Sequence, residues 1–245
     1  GYRFIYGQLD QKDQSESGGG INMDLKEAMG QRHMVRRYTD QPLPAEIVKE
    51  LNGYIDKMNR SYGLSVELKT GDSSAFPAVI KLVLAKGVRN YFIMAGKEAM
   101  DLDERLGYCG AGLMLYAQTL GLNTWWVGGT FSRKRMEEIS HGNRVAGVVA
   151  VGYGQTQGVP HKTKKPDQVG SYSGEAPQWF RQGIDAALLA PTALAKQAFM
   201  IKGSADQVSI QCDNGIFSGV DTGLVKYHFE LGAGKDNFEW KDSFL

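Results

Sequence analysis

The feature that most restricts the fold is a long helical pattern that ends in a glycine and leads directly into a strand. The helical pattern covers Glu98 to Leu120, Gly121 stops it, and Asn123 to Val127 is typical of a strand. A short helix with Ser132 as its N-cap is predicted next, followed by the apolar strand Val145 to Val151. This alternation predicts a mixed fold of helices and strands.

Helix and strand patterns recur on both sides of a stretch rich in glycine and lysine, residues 152–172. We predict helices over 24–30, 45–58, 178–189 and 220–231, and strands over 64–70, 91–95, 198–201 and 207–212. Residues 152–172 are predicted to form an exposed connection, which makes them the best candidate for an internal boundary. The predicted division is an N-terminal tail over 1–22, a first half over 23–160 and a second half over 161–245.

Composition excludes several classes of protein. The 245 residues carry 28 basic and 27 acidic side chains, a net charge of +1, which disfavours general binding to nucleic acid. The apolar runs at 79–84 and 146–151 are far shorter than the roughly 20 residues of a membrane-spanning helix, so we predict a soluble protein with no membrane partner. Cys109 and Cys212 lie far apart in sequence, which favours a reducing, cytoplasmic location.

The first candidate for chemistry is the basic segment that follows the first predicted helix. Arg32 and Arg36 are four residues apart and would point the same way if this turn were helical. Each guanidinium offers a planar set of donors that suits a phosphate or an electron-rich carbonyl. A solvated basic turn explains the same spacing.

The second candidate is the strand that ends in Gly128 and Gly129. Glycines let backbone N–H groups approach a flat ligand, and the side chains of the adjacent Trp125 and Trp126 could pack against a planar ring. Core packing followed by a tight turn explains this segment equally well.

The third candidate is a short lysine cluster in the predicted connection, Lys162, Lys164 and Lys165. Three lysines within four positions could neutralise a phosphate monoester, or could belong to a solvated loop. By contrast, the glycines at 107, 110 and 112 fit neither dinucleotide-binding nor P-loop spacing, so close helix packing is the better interpretation.

Side-chain catalysis has little support in the sequence. The four histidines show no metal-ligand spacing, and a G-x-S-x-G nucleophile motif is absent. We therefore predict no catalytic side chain and no metal, and we expect any reaction to be carried out by a bound cofactor.

Taken in order, these segments resemble the FMN-dependent nitroreductase family, and most closely a subgroup in which a partial second copy of the motifs follows the first. Residues 32–36 resemble the opening R-x-S-x-R/K flavin motif, 121–129 the GLGT-W-x-x-G strand and turn, and 162–166 the closing K-x-R phosphate clamp. Residues 190–199 resemble A-P-S-A-x-N-x-Q-P-W, which ordinary members carry before the GLGT segment. The resemblance covers about 24–240.

The resemblance implies an α+β fold, a mixed sheet flanked by helices. It also implies either a homodimer or a pseudo-dimer within one chain. Three positions depart from the family pattern: Met34 stands in place of a serine that contacts the flavin, Ala195 in place of an asparagine, and Ala198 in place of a proline. A thioether cannot supply the lost hydroxyl donor.

The resemblance also implies a function, an oxidoreductase that passes hydride from NADH or NADPH through FMN to a small electron-poor acceptor such as a nitroaromatic or a quinone. Arg32, Lys162 and Lys164 would hold the phosphate, Arg36 would lie at the N1/C2 edge of the flavin, and Gly128 and Gly129 would face N5 and O4. The full set of predicted cofactor residues is Arg32, His33, Met34, Arg36, Trp126, Val127, Gly128, Gly129, Lys162, Lys164, Lys196 and Gln197. Trp125, Trp126 and Phe199 would either shape the substrate face or belong to the core. The alternative is an FMN- or nucleotide-binding module without turnover.

Overall fold

A four-stranded antiparallel sheet forms the first half of the computed structural model, which describes residues 23–241. Its strands, in spatial order, are β1 (Glu67–Lys69), β2 (Tyr91–Gly96), β4 (Arg144–Gly152) and β3 (Asn123–Val127). The central strands β2 and β4 are almost entirely buried because both faces of the sheet are covered. The outer position of β3 leaves one of its edges free for another segment.

Five helices accompany this sheet: α1 (Leu25–Gln31), α2 (Ala45–Tyr62), α3 (Ala78–Val83), α4 (Leu102–Thr119) and α5 (Arg133–Ile139). The N-terminus of α1 is capped by Asp24, whose Oδ1 accepts a hydrogen bond of 2.8 Å from the Glu27 N–H. α2 ends at Gly63, which adopts the left-handed conformation with φ 60°.

A second four-stranded sheet follows the connection, with the order β5 (Gly170–Tyr172), β6 (Phe199–Ser204), β7 (Gln207–Cys212) and β8 (Glu239–Trp240). Its central pair is antiparallel, whereas both outer pairs are parallel. α6 (Gln178–Ala187) and α7 (Ser218–Ala233) pack together in this half.

α7 and α4 cross at two glycines. A Cβ on Gly107 would collide with the carbonyl oxygen of Val220, and a Cβ on Gly223 with that of Glu104. Because these collisions involve backbone atoms, only glycine permits this separation of the helices. The predicted packing role of the glycine-rich stretch in α4 is confirmed.

Elements of the two halves correspond with a constant difference in residue number. This difference relates the first residues of β2 and β7 (Tyr91 and Gln207), the first residues of α4 and α7 (Leu102 and Ser218), and Gly107 and Gly223. A strand, a following helix and its crossing glycine therefore occur twice in this chain.

The predicted α+β fold is confirmed, and it contains two sheets rather than one. The short strand β5 lies inside the predicted connection, because residues 170–172 extend the second sheet through parallel pairing with β6. The predicted strand over 64–70 is reduced to β1, since Leu64 makes only an isolated bridge to Gly96. Neither α3 nor β8 was predicted.

No helix among the described residues is long and apolar enough to cross a membrane. The predicted tail lies outside the described residues, and the division into halves at residue 160 stays a prediction.

Candidate functional site

The free edge of β3 is lined by the basic segment that follows α1. Met34 forms an isolated parallel bridge with Thr124, and the Val35 N–H donates to the Thr124 carbonyl at 3.3 Å. α1 ends at Arg32, whose backbone is extended (φ −70°, ψ 119°). The first two predicted motifs are therefore neighbours, but the helical turn considered for Arg32 and Arg36 is absent.

Arg32 is a buried cation. Its side chain is 5% exposed, and no group among residues 23–241 accepts a hydrogen bond from its guanidinium or pairs with it as a carboxylate. Burial lowers the pKa of Arg32 to about 10, so the guanidinium stays charged at neutral pH. An uncompensated buried charge is costly, which makes this position suited to an anion.

The connection after β4 runs against the same segment. A Cβ on Gly158 would lie 2.8 Å from both the Cβ of His33 and the carbonyl oxygen of Met34, and Gly158 has φ 76°. A glycine is required here for both reasons. This close approach brings His161 near His33, and burial, with Arg32 and His161 nearby, lowers the pKa of His33.

Gln197 joins the third and fourth predicted motifs. Its buried amide oxygen accepts a hydrogen bond of 2.7 Å from the Lys164 backbone N–H, and its amide nitrogen donates to the Leu188 carbonyl at 2.7 Å. The Lys164 Nζ donates to the Gln197 carbonyl at 2.8 Å, and the Gln197 amide nitrogen lies 3.1 Å from His161 Nε2. Gln197 thus fixes the lysine segment against the loop before β6.

The loop before β6 has a strained backbone. Leu194, Ala195 and Gln197 have φ values of 54°, 52° and 48°, a left-handed conformation that costs of the order of 1–3 kcal/mol in residues other than glycine. The carboxylate of Asp221 on α7 holds the loop by accepting hydrogen bonds of 2.9 and 3.2 Å from the Ala193 N–H. Burial raises the pKa of Asp221 to about 6.

A further buried group, His228 on α7, was missed by the sequence-based prediction. Its side chain is 1% exposed, Nδ1 lies 2.8 Å from the Leu224 carbonyl, and Nε2 has no hydrogen-bond partner among the described residues. Burial lowers the pKa of His228 to about 3, and the charges of Arg32 and His161 contribute to that shift. The sequence signal is a lone histidine in an apolar helix, which is ordinarily a core residue.

At the far end of β3, Gly128 and Gly129 lie beneath the ring of Phe217, a residue that the sequence did not indicate. A Cβ on Gly128 would approach this ring to 2.6 Å. Because a strand rises about 3.3 Å per residue, Gly128 lies about 13 Å along the chain from Thr124. The edge of β3 therefore has two different ends. The end at Thr124, beside Arg32 and the connection, is called the cationic end, and Gly128 and Gly129 form the other end.

The two tryptophans of β3 belong to the core. Trp125 stacks on Phe76 with ring centroids 6.2 Å apart, and the Arg36 guanidinium lies 5.2 Å from the centroid of Trp125. Trp126 faces α4, where a Cβ on Gly110 would collide with its ring. Phe199 is 5% exposed and also packs in the core.

The predicted residues therefore separate into three groups. Arg32, His33, Lys164 and Gln197 come together at the cationic end of the β3 edge. Lys162 and Lys196 are exposed in the two loops beside it, and Met34 is 47% exposed on the basic segment. Val127, Gly128 and Gly129 lie at the other end of β3, and the side chains of Arg36 and Trp126 are held by other contacts.

The chain matches one protein-family model, described as "Putative TM nitroreductase", over residues 24–233. It belongs to this nitroreductase family, and membership supports a flavin oxidoreductase in general terms. None of the curated proteins matches the chain.

Solved structures are similar to the chain at low sequence identity. A protein from Thermotoga maritima described as a "putative nitroreductase" is 20% identical, with 91% of this chain and 89% of that chain covered and a TM-score of 0.67. A "putative nitroreductase in complex with FMN" from Desulfovibrio desulfuricans is 14% identical, with 62% and 96% covered and a TM-score of 0.49. A "putative NAD(P)H:FMN oxidoreductase" from Staphylococcus epidermidis is 14% identical, with 63% and 97% covered and a TM-score of 0.48. The Thermotoga likeness shows the fold.

Proposed function

We propose that the chain is an FMN-dependent oxidoreductase that uses NADH or NADPH to reduce a small electron-poor acceptor, such as a nitroaromatic or a quinone. The observation that carries the proposal is the buried Arg32 guanidinium, which has no anionic partner in the described part of a nitroreductase-family chain. A phosphate monoester would supply that partner.

The residues present fit the phosphate of FMN at the cationic end of the β3 edge. Arg32 provides a buried cation for the phosphate, and Lys162 and Lys164 lie in the adjoining loop to add charge. Gly128 and Gly129 carry no side chains, and a flavin ring bound over Gly128 would take the place of the Phe217 ring that lies there. Lys196 and Gln197 belong to the loop before β6, which we place on the other side of the ring. When bound, FMN would supply the hydride chemistry, accepting hydride from the nicotinamide and delivering it to the acceptor.

The part played by the protein is binding and electrostatics. Arg32 orients the phosphate and thereby fixes the position of the ring. We assign Arg36 to the stabilisation of the negative charge that the ring gains on reduction; this role requires it to leave the face of Trp125. No side chain is assigned as a general acid or base.

We also propose that one chain builds its own site as a pseudo-dimer. The offset between the halves supports this, as do the contributions of both halves to the cationic end, Arg32 from the first and Gln197 from the second. In a homodimer with shared sites, these residues would instead have to come from two chains.

The test is an absorption spectrum of the purified chain with added FMN, taken before and after NADH or NADPH. We expect bound flavin that is bleached by the nicotinamide and recovers its colour with a quinone. Bound flavin that the nicotinamide cannot bleach would support the binding module without turnover. A chain that takes up no FMN would overturn both functions.

A further inference from the structure

His228 is a buried titratable group that the proposed function leaves without a role. It lies on α7, inside the interface between the two halves, and its Nε2 atom is both buried and without a partner among the described residues. Buried polar atoms are normally satisfied by a hydrogen bond, and a buried acceptor without a donor is destabilising. Nε2 is therefore available to a donor on a bound group.

The hydrogen bond at the other ring nitrogen fixes the tautomer. Nδ1 lies 2.8 Å from the carbonyl oxygen of Leu224, which can only accept, so Nδ1 carries the proton. In the neutral imidazole Nε2 is then an acceptor with an unused lone pair. Such an atom repels the oxygen of a phosphate unless a proton lies between them.

The groups that act on His228 are cationic or neutral bases. Arg32 comes from the end of α1 and His161 from the connection, and both disfavour a positive charge on the ring. The nearby acid on α7, Glu230, accepts hydrogen bonds from Tyr108 at 2.5 Å and from Trp240 at 2.8 Å, and pairs with Lys235 at 3.2 Å. No group of three or more potential metal ligands occurs in residues 23–241.

We propose that His228 is an additional anion-binding residue of the cationic end, and that the phosphate of the cofactor binds there together with one proton. This inference rests on the proposed function for the identity of the ligand. The proton comes from solvent and is shared between Nε2 and a phosphate oxygen, while Nδ1 keeps its proton on Leu224. Burial is the main reason that the ring is neutral, and the incoming negative charge favours the protonated ring and offsets the charge of Arg32.

Proton uptake has a measurable consequence. A free phosphate monoester has a second pKa near 6, so above about pH 7 both the ligand and the free His228 lack the shared proton. Affinity must then fall as pH rises, by up to about tenfold per pH unit for one proton. Riboflavin, which has no phosphate, must bind without this dependence.

The experiment is isothermal titration of the full chain with FMN at pH 7.5, in two buffers that differ in ionisation enthalpy. The difference in heat gives the number of protons taken up, expected to be close to one for FMN and close to zero for riboflavin. A matched NMR measurement follows the His228 ring nitrogens, and Nε2 should change from unprotonated to protonated when FMN is added.

Two variants of the same residue separate the proton from packing. His228→Asn keeps a donor for the Leu224 carbonyl and removes Nε2, whereas His228→Gln places an uncharged amide near the Nε2 position. Both should abolish proton uptake, and His228→Gln should keep the tighter FMN binding of the two. His141→Asn, at an exposed histidine after α5, is the control and should take up the same number of protons as the parent chain.

The outcomes separate this inference from the proposed function. FMN binding without proton uptake in the parent chain, or uptake that survives in both His228 variants, overturns the role of His228 and leaves the flavin function intact. If FMN does not bind, titration with inorganic phosphate decides: phosphate binding with uptake at His228 supports the anion site and overturns the cofactor. Binding of neither overturns both.

Discussion

α4 and α7 begin at equivalent positions in the two halves, and they bury different chemistry. α4 buries mostly apolar residues and glycines, and its only buried amide is that of Gln118. α7 instead buries Lys226, His228 and Glu230 along its centre. At the position of His228, the constant offset places Gly112 in α4, which packs directly against the ring of Tyr227.

This difference shows how two similar helices can serve one site. Gly107 and Gly223 let the backbones of α4 and α7 approach each other closely at the crossing. This close approach allows α7 to lie deep in the molecule. Charged groups on so deep a helix need partners, because isolated buried charges are costly. Glu230 and Lys226 find them within the protein, whereas His228 Nε2 has no partner among the described residues and its ring is acted on by the charge of Arg32.

The largest effect is expected at the crossing itself. Gly107→Ala or Gly223→Ala would push a Cβ into backbone atoms of the other helix, so each should lower the free energy of unfolding by about 3 kcal/mol or more. Gly53→Ala is the control, since Gly53 is exposed in α2 with no atom near its Cβ, and it should raise stability by about 0.5–1 kcal/mol. Urea denaturation measures all three, and equal effects would disprove the tight crossing.

A somewhat smaller loss of stability is expected at Gln197, which binds the connection to the second half. Gln197→Leu removes the acceptor of the Lys164 N–H and one of the donors to the Leu188 carbonyl. The free energy of unfolding should therefore fall by about 2–3 kcal/mol. Lys196→Ala, at the exposed neighbour, should change stability by less than about 0.5 kcal/mol. Similar values for the two variants would show that Gln197 does not hold these segments together.

Asp221 on α7 predicts a pH dependence of stability. Its pKa is raised from 3.8 to about 6 by burial, so its contribution to stability is fully present below pH 3.8 and is lost as pH rises through about 6. Asp221→Asn keeps an acceptor for the Ala193 N–H without the charge, and should gain about 1–2 kcal/mol on the parent chain between pH 4 and pH 7. Asp185→Asn, at an exposed residue of α6, should show no such gain when unfolding is followed at both pH values.

The smallest effect concerns the first half alone. Met34→Ser restores the hydroxyl that the family pattern carries, and one neutral hydrogen bond of about 1 kcal/mol should tighten FMN binding about fivefold. Met100→Ser, at a fully exposed methionine before α4, should leave the affinity unchanged. Flavin fluorescence titration compares the two, and an unchanged affinity in Met34→Ser would separate this position from the cofactor.

Much of the fold could be predicted because local patterns decided it. β3 and β7 were predicted with their observed bounds, since Gly121 and Gly128 lie close to the two ends of β3 and apolar residues alternate along β7. β5 and β8 were missed because two- and three-residue strands are stabilised by pairing with distant partners. The same reason explains the missing helical turn at Arg32, where pairing with Thr124 extends the chain.

The candidate site was predictable only in part. The motifs identified Arg32, Lys164 and Gln197. The structure joins Gln197 to Lys164 directly and to the segment of Arg32 through His161 and His33. His228, Asp221 and Phe217 lie on or next to α7 and carry no local pattern, because their importance comes from the packing of α7 against the first half. The contact of Arg36 with Trp125 likewise depends on tertiary structure.

The central claim is that Arg32 recognises a phosphate, and the affinity of FMN relative to riboflavin tests it most directly. We predict one FMN per chain, riboflavin binding at least about tenfold weaker, and an Arg32→Met variant in which FMN binding falls to the riboflavin level, since a charged hydrogen bond contributes about 1.5–3 kcal/mol. Equal affinities for FMN and riboflavin in the parent chain, or an Arg32→Met variant that still prefers FMN to the same degree, would contradict this account.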